Sequence, residues 1–332
     1  MGLKEQAKYA KELKQEYIRL YSIDKVDEGK KLELEYLSVR RKIIESVDDD
    51  IMRQKSIPMY IIKERVAKKE KPKRIETGIR SLDFELVTED MKTKGIKGGL
   101  ALGNFIQIAG SRGSGKSSIM LKMLTGFSLY ETVCWFDFEM GEDRVVQKLE
   151  DFYHDDKNMM YYNSSRMLSD IVDEIKFLNA SGVNHFVIDS AMKVLVKGVD
   201  RYEKFSTVSG ELSALTSTLG INIYMINQLS QSSEREGHLM IKHGNDAEYD
   251  ADFIFYILRK PKMDDEDKNV YDDLGMMVFD EDTRILKCTK NRQDERLFSV
   301  EIPKSQIMGI KKDEVEYADD KMESEKHEMP RF

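Results

Sequence analysis

An α/β fold, with a mostly parallel sheet sandwiched by helices, follows from three features of this sequence. From Thr77 onward, short β-branched and apolar runs alternate with helix-forming stretches, the pattern of strands joined by crossover helices. Beyond about residue 252 the strand-like runs follow one another with little helix between them, so an antiparallel C-terminal extension of the sheet is expected. Ahead of the sheet, Lys, Glu, Leu and Tyr dominate and apolar positions recur at helical spacing, which predicts a small N-terminal helical segment.

The elements follow in chain order. Leu13, Tyr17, Leu20 and Tyr21 give residues 1–70 narrow apolar stripes, too thin for an independent core. The segment is expected to dock on the main domain or a neighbouring subunit; a partly disordered charged arm is the alternative its composition allows. The run Lys68-Lys69-Glu70-Lys71-Pro72-Lys73-Arg74 reads as a solvated linker into a core over residues 71–310. Strands are expected at 105–109, 132–138, 159–162, 185–189 and 221–227, with helices at 142–153, 168–179 and 208–219 between them. Further strands are expected at 252–258, 275–279, 284–289 and 297–302, and the charged residues 311–332 read as an acidic flexible tail.

A chain of 332 residues, 40% of them hydrophobic, suffices for one large α/β domain with an appendage. It contains no apolar run near the eighteen or so residues of a membrane span, and its N-terminus lacks a signal peptide's apolar stretch. A cytoplasmic protein with no membrane contact is therefore expected. Cys134 and Cys288 lie far apart in strand-like runs and support neither a disulfide framework nor a zinc ribbon. A net charge of -8 excludes a uniformly basic surface but leaves room for a local basic channel.

The strongest local signal is Gly110-Ser111-Arg112-Gly113-Ser114-Gly115-Lys116-Ser117, followed by Ser118. It fits the G-x-x-x-x-G-K-[ST] loop, whose backbone N–H groups wrap nucleotide phosphates. Phe105–Ala109 before it is strand-like and Ile119–Leu124 after it is helix-forming, so the positive end of a helix faces the phosphates. Lys116 would neutralise β- and γ-phosphate charge, and Ser117 would help hold Mg²⁺. ATP is the expected substrate and Mg²⁺ the expected cofactor.

Hydrolysis also needs a carboxylate to orient water, one near the metal, a γ-phosphate sensor and a transition-state cation. Glu139 follows the strand Val133–Phe138 at the sheet's C-terminal edge, where open α/β sheets bind ligands, and is the candidate base. Asp189 closes the apolar run His185–Ile188 and is placed to reach the magnesium's water shell. Asn227-Gln228 closes the next apolar strand, and the Gln228 amide can sense a γ-phosphate by hydrogen bonding.

In this order and spacing the chain resembles the RecA/DnaB superfamily of P-loop ATPases, and within it the core of the DnaB-type replicative helicases. The likeness covers about residues 77–303. It rests on Thr77-Gly78-Ile79-Arg80-Ser81-Leu82-Asp83, the phosphate loop, Glu139-Met140, Asn227-Gln228-Leu229-Ser230-Gln231-Ser232, Asp250-Ala251-Asp252 and Lys290-Asn291-Arg292. The resemblance implies a RecA-like fold in a homo-oligomer, most simply a hexameric ring. It also implies that Arg292, with Lys290, completes a neighbour's site as an arginine finger, a task suited to a planar guanidinium.

Two loops would then face single-stranded DNA. One carries Lys197, Arg201 and Lys204, the other Arg235 and Lys242; such cations give sequence-independent phosphate attraction. An ATP-driven translocase or helicase in bacterial or phage replication, with primase or loader partners, is the leading expectation. Residues 1–70 are shorter than the usual N-terminal domain of DnaB-type helicases, and Asp189-Ser190 looks more like the recombinase and RadA branches. A filament-forming recombinase or mediator would use the same site, as would an ATP-gated assembly or regulatory factor.

Overall fold

A computed structural model describes residues 2–52, 58–68, 74–87, 98–150, 156–229, 239, 241, 247–264, 266, 268–272 and 276–307. At the N-terminus α1 (Leu3–Ser22) and α2 (Val26–Met52) form a helical hairpin, followed by α3 (Met59–Lys68). Tyr9 and Tyr21 of α1 donate hydroxyl hydrogen bonds to Glu35 and Glu33 of α2, both at 2.5 Å. Ala7, Ala10 and Leu13 on one side of α1, with Tyr36, Ile43 and Ile44 of α2, are buried in the same cluster as Phe177 and Leu178 of the main domain.

A short ribbon of β1 (Arg74–Ile75) and β2 (Leu100–Ala101) flanks α4 (Arg80–Glu85). The main sheet has eight strands: β3 (Phe105–Gly110), β4 (Val133–Asp137), β5 (Met159–Tyr162), β6 (His185–Asp189), β7 (Asn222–Gln228), β8 (Phe253–Pro261), β9 (Phe279–Asn291) and β10 (Phe298–Pro303). Their spatial order is β10-β9-β8-β3-β7-β6-β4-β5. Pairing is parallel from β8 to β5 and antiparallel at β8–β9 and β9–β10, the expected C-terminal extension. Helices α5 (Lys116–Ser128), α6 (Glu142–Glu150), α7 (Leu168–Ala180) and α8 (Arg201–Leu219) lie between the parallel strands in sequence, while α9 (Ala247–Asp250) and α10 (Lys304–Ile307) are single turns.

The apolar runs of β3, β4 and β6 are buried on both faces, which is why they read as continuous rather than alternating. Successive residues still divide between two core layers. Phe105, Phe136 and Phe186 join the α7 and α8 layer, whereas Ile106, Trp135 and Val187 join the α5 layer. Among the described residues no helix is long and apolar enough to cross a membrane.

Two expectations change. Gly275 lies outside the described residues; 276–279 and 284–289 are not separate strands, since Met277 makes only an isolated bridge to Tyr271 and β9 runs unbroken from Phe279 to Asn291. The helix expected at 208–219 begins seven residues earlier at Arg201, because the Asp200 carboxylate accepts the Glu203 N–H at 2.9 Å and caps the first turn. Arg201 and Lys204 are therefore helical residues, not loop residues.

Candidate nucleotide-binding site

The end of β3 and the start of α5 shape a phosphate cradle from backbone. Gly115, at φ +94°, is the residue from which α5 springs, a conformation open to glycine at little cost. A side chain at Gly110 would lie 2.5 Å from the Ile257 carbonyl oxygen and 2.6 Å from Ser114 Oγ, so β8 can pass this close only to a glycine. The Lys116 ammonium donates to the carbonyls of Gly110 at 2.9 Å and Ser111 at 2.7 Å, which holds it across the loop.

The sheet order delivers the other groups to the same edge. Gly110 is in register with Gln228 of β7, and Asp137 of β4 with Asp189 of β6, so the C-terminal ends of four neighbouring strands converge. A cavity of about 300 Å³ is lined there by Lys116, Ser117, Glu139, Asp189 and Gln228, with Arg112, Gly113, Gly115 and Ser118 from the loop. Four carboxylate, amide and hydroxyl positions expected from the sequence thus share one cavity with the lysine.

Asp189 is 1% exposed and hydrogen-bonded by Ser117. Burial pushes its carboxyl up to about 7, Glu139 and Asp137 add to the rise, and Ser117 and Lys116 oppose it. Among the described residues its Oδ2, together with Ser114 Oγ and Ser190 Oγ, is buried without a hydrogen-bonding partner. Such groups are costly unless something pairs with them. A hard cation with its water shell beside Ser117 and Asp189, and phosphate oxygens beside Ser114, are the chemistry these oxygens fit.

Three lining residues escaped the sequence reading. Lys148 of α6 donates to Ser118 Oγ at 2.7 Å, adding a cation to Lys116 and Arg112 at the rim. Arg259 of β8 donates to the Arg112 carbonyl at 2.9 Å and lies over the Phe279 ring, 5.6 Å from its centroid. Arg284 of β9 donates to the carbonyls of Asp280, Glu281 and Thr283. With Gly113, Gly115, Ser118 and Lys148 these residues line a second cavity of about 660 Å³ adjoining the first. A basic residue late in an apolar strand was the available signal for Arg259.

Lys290 and Arg292 are not part of this cavity. β9 runs away from it: Arg284 pairs with Arg259 beside the loop, whereas Asn291 pairs with Phe253 at the opposite end of the sheet. The strand runs on for seven residues from Arg284 to its end at Asn291, and Arg292 follows, about 25 Å away at the usual rise. There Lys290 donates to the carbonyls of Glu248 and Tyr249, and Arg292 to the Tyr249 carbonyl and to Asp252 at 3.3 Å.

The expected DNA-contacting cations divide. Lys197 is exposed in the turn after Asp189, Arg201 opens α8, and Lys204 donates to the Met192 carbonyl at 3.0 Å, back toward that turn. Arg235 and Lys242 lie outside the described residues.

No family profile and no curated protein sequence matches the chain. Solved structures do. A DnaB-like replicative helicase, described with its interactions with primase, aligns at a TM-score of 0.56 and 16% identity over 90% of this chain and 73% of its own. A second structure, an ATPase domain, aligns at 0.55 and 16%, over 76% and 97%. A KaiC-like protein from the hyperthermophilic archaeon Pyrococcus horikoshii aligns at 0.52 and 15%, over 72% and 98%. At these identities the likeness shows the fold alone: a RecA-like, mostly parallel sheet covered by helices, with antiparallel C-terminal strands.

Proposed function

We propose that the chain is an ATP hydrolase that works as a ring, most simply a hexamer, and moves along single-stranded DNA as a replicative helicase. One observation carries the reading. The loop, Glu139, Asp189 and Gln228 share one cavity, yet the Lys290-Asn291-Arg292 cations lie about 25 Å away at the other end of the sheet. Lys148, Arg259 and Arg284 also lie beside the loop, but the pair that the resemblance assigns to the transition state cannot reach this chain's own cavity and is left to serve a neighbour's, and a DnaB-like replicative helicase is among the matching structures.

In this reading the loop N–H groups from Gly110 to Ser118 and the Lys116 ammonium bind the β- and γ-phosphates. Ser117 and, through water, Asp189 would hold Mg²⁺, which would supply neutralisation of phosphate charge. Glu139 takes the proton of the attacking water, and Gln228 donates its amide to the γ-phosphate. The adjoining cavity, with Arg259 and Phe279, receives the ribose and base. Arg292, helped by Lys290, reaches the neighbour's γ-phosphate. Lys197, Arg201, Lys204, Arg235 and Lys242 supply phosphate-backbone contacts in the ring channel. A primase and a loader are the partners such a motor needs in a cytoplasmic, bacterial or phage setting.

Mixing two inactive chains tests the central claim. Lys116→Ala and Arg292→Ala should each abolish ATP turnover and unwinding of a forked duplex. In mixed rings, an interface formed by Lys116 of one variant and Arg292 of the other is intact, so mixing should restore ATPase activity. Failure of every mixing ratio to do so would sink completion in trans. Turnover indifferent to single-stranded DNA would instead place the chain with assembly factors.

A further inference from the structure

The carboxylate of Asp137 gathers the turn that carries Glu139, and we propose that Asp137 is the positioning residue of the hydrolytic site. The proposal rests on Glu139 acting as the base. Asp137 ends β4, is 3% exposed, and does not line the cavity, so it can act only through its neighbours. Its Oδ1 accepts the N–H groups of Glu139 at 3.1 Å and Met140 at 2.9 Å. Its Oδ2 accepts the Gly141 N–H at 2.6 Å and the Tyr161 hydroxyl at 2.9 Å.

Four donors on two oxygens are what an ionised carboxylate accepts and no other side chain of this size can. Three of them are consecutive backbone N–H groups, so residues 139–141 are wrapped around one anion. Glu139 itself is exposed; the position of its carboxylate is therefore set by its backbone, and its backbone is set by Asp137. The far end of the turn is held as well, because Asn163 Nδ2 donates to Glu142 at 3.1 Å and to the Tyr161 hydroxyl at 3.3 Å. Tyr161 of the edge strand β5 and Asn163 just beyond it thus support both ends of the turn.

Asparagine at 137 cannot reproduce this arrangement. With its oxygen kept toward Glu139 and Met140, its NH₂ faces the Gly141 N–H, donor against donor. The turn then loses one anchor while the phosphate loop, on another strand, is untouched. Misplacing a base by a fraction of an ångström slows the chemical step without weakening substrate binding.

Single-turnover ATP cleavage and the affinity for a fluorescent ATP analogue, measured on the full chain, test this. Asp137→Asn should slow cleavage about 10- to 100-fold and leave the dissociation constant within about twofold. Tyr161→Phe, which removes one of the four donors and leaves the carboxylate in place, should slow cleavage about threefold with the same unchanged affinity. Glu139→Gln sets the reference. The double variant Asp137→Asn with Glu139→Gln should be no slower than Glu139→Gln alone, since a positioning residue has nothing left to position. Wild-type cleavage by both Asp137→Asn and Tyr161→Phe, with Glu139→Gln slow, would overturn the proposal and leave the base assignment standing. A further loss in the double variant, or weakened binding in Tyr161→Phe, would assign Asp137 a purely structural role. Wild-type cleavage by Glu139→Gln would remove the base assignment itself.

Discussion

Replacing Asp189 with asparagine should stabilise the nucleotide-free protein at pH 8 by about 4 kcal/mol and at pH 5 by less than half of that. The carboxyl is 1% exposed and is pushed from 3.8 to about 7, first by burial. In the unfolded chain the same group gives up its proton near 3.8. Between those values the folded protein binds more protons than the unfolded one, so the contribution of this group to stability is full below pH 4 and falls as pH rises to about 7. At about 1.4 kcal/mol per pH unit, the loss amounts to about 4 kcal/mol. Asparagine has no proton to lose and fills the same space. Urea unfolding of both proteins in EDTA at pH 5, 6, 7 and 8 gives the variant-minus-wild-type difference, which cancels every other titration. That difference should rise by about 3 kcal/mol from pH 5 to pH 8, and a flat difference, within about 1 kcal/mol, would refute the reasoning. In the proposed mechanism the same substitution should abolish ATP turnover, because the buried charge that destabilises the empty site is the one that would face the metal.

Two further substitutions probe how the fold supports the site. Arg40→Ala removes a guanidinium that donates to Glu174 at 2.8 Å and covers the Phe177 ring. With side-chain exposures of 23% and 9% in the pair, it should cost about 2 kcal/mol and expose the N-terminal hairpin to limited proteolysis; an unchanged melt and digestion pattern would contradict this. Gly126→Ala would set a methyl 2.5 Å from the Thr77 carbonyl oxygen, forcing α5 away from the Thr77-Gly78 turn at about 2 kcal/mol. Differential scanning calorimetry should show the lowered Tm, and an unshifted transition would mean that the two segments separate freely.

What the sequence made legible was chemistry confined to neighbouring residues. The phosphate loop needs its glycines, lysine and serine within eight positions, and Glu139, Asp189 and the pair Asn227-Gln228 each close an apolar run whose end is visible in the sequence. Strands buried on both faces announce themselves as unbroken apolar runs, so β3, β4 and β6 were readable. The start of α8 was missed for the opposite reason: its first turn, Arg201 to Lys204, is polar, and only the Asp200 cap fixes where the helix begins.

The residues that escaped are those whose partners are distant in the chain. Arg259 matters because β8 lies beside β3, an adjacency between residues about 150 apart that periodicity does not encode. Asp137 looked like one more residue of a strand, since nothing local says that Tyr161, 24 positions on, donates to it. An acid inside an apolar strand is nevertheless a physical anomaly: burial of an unpaired carboxylate is costly, so its presence requires donors nearby. Followed two residues later by a second acid, Asp137 had a specific implication. Strand end and turn must fold around the first carboxylate before the second can point anywhere definite, so the buried acid, not the exposed one, fixes the geometry at this edge of the sheet.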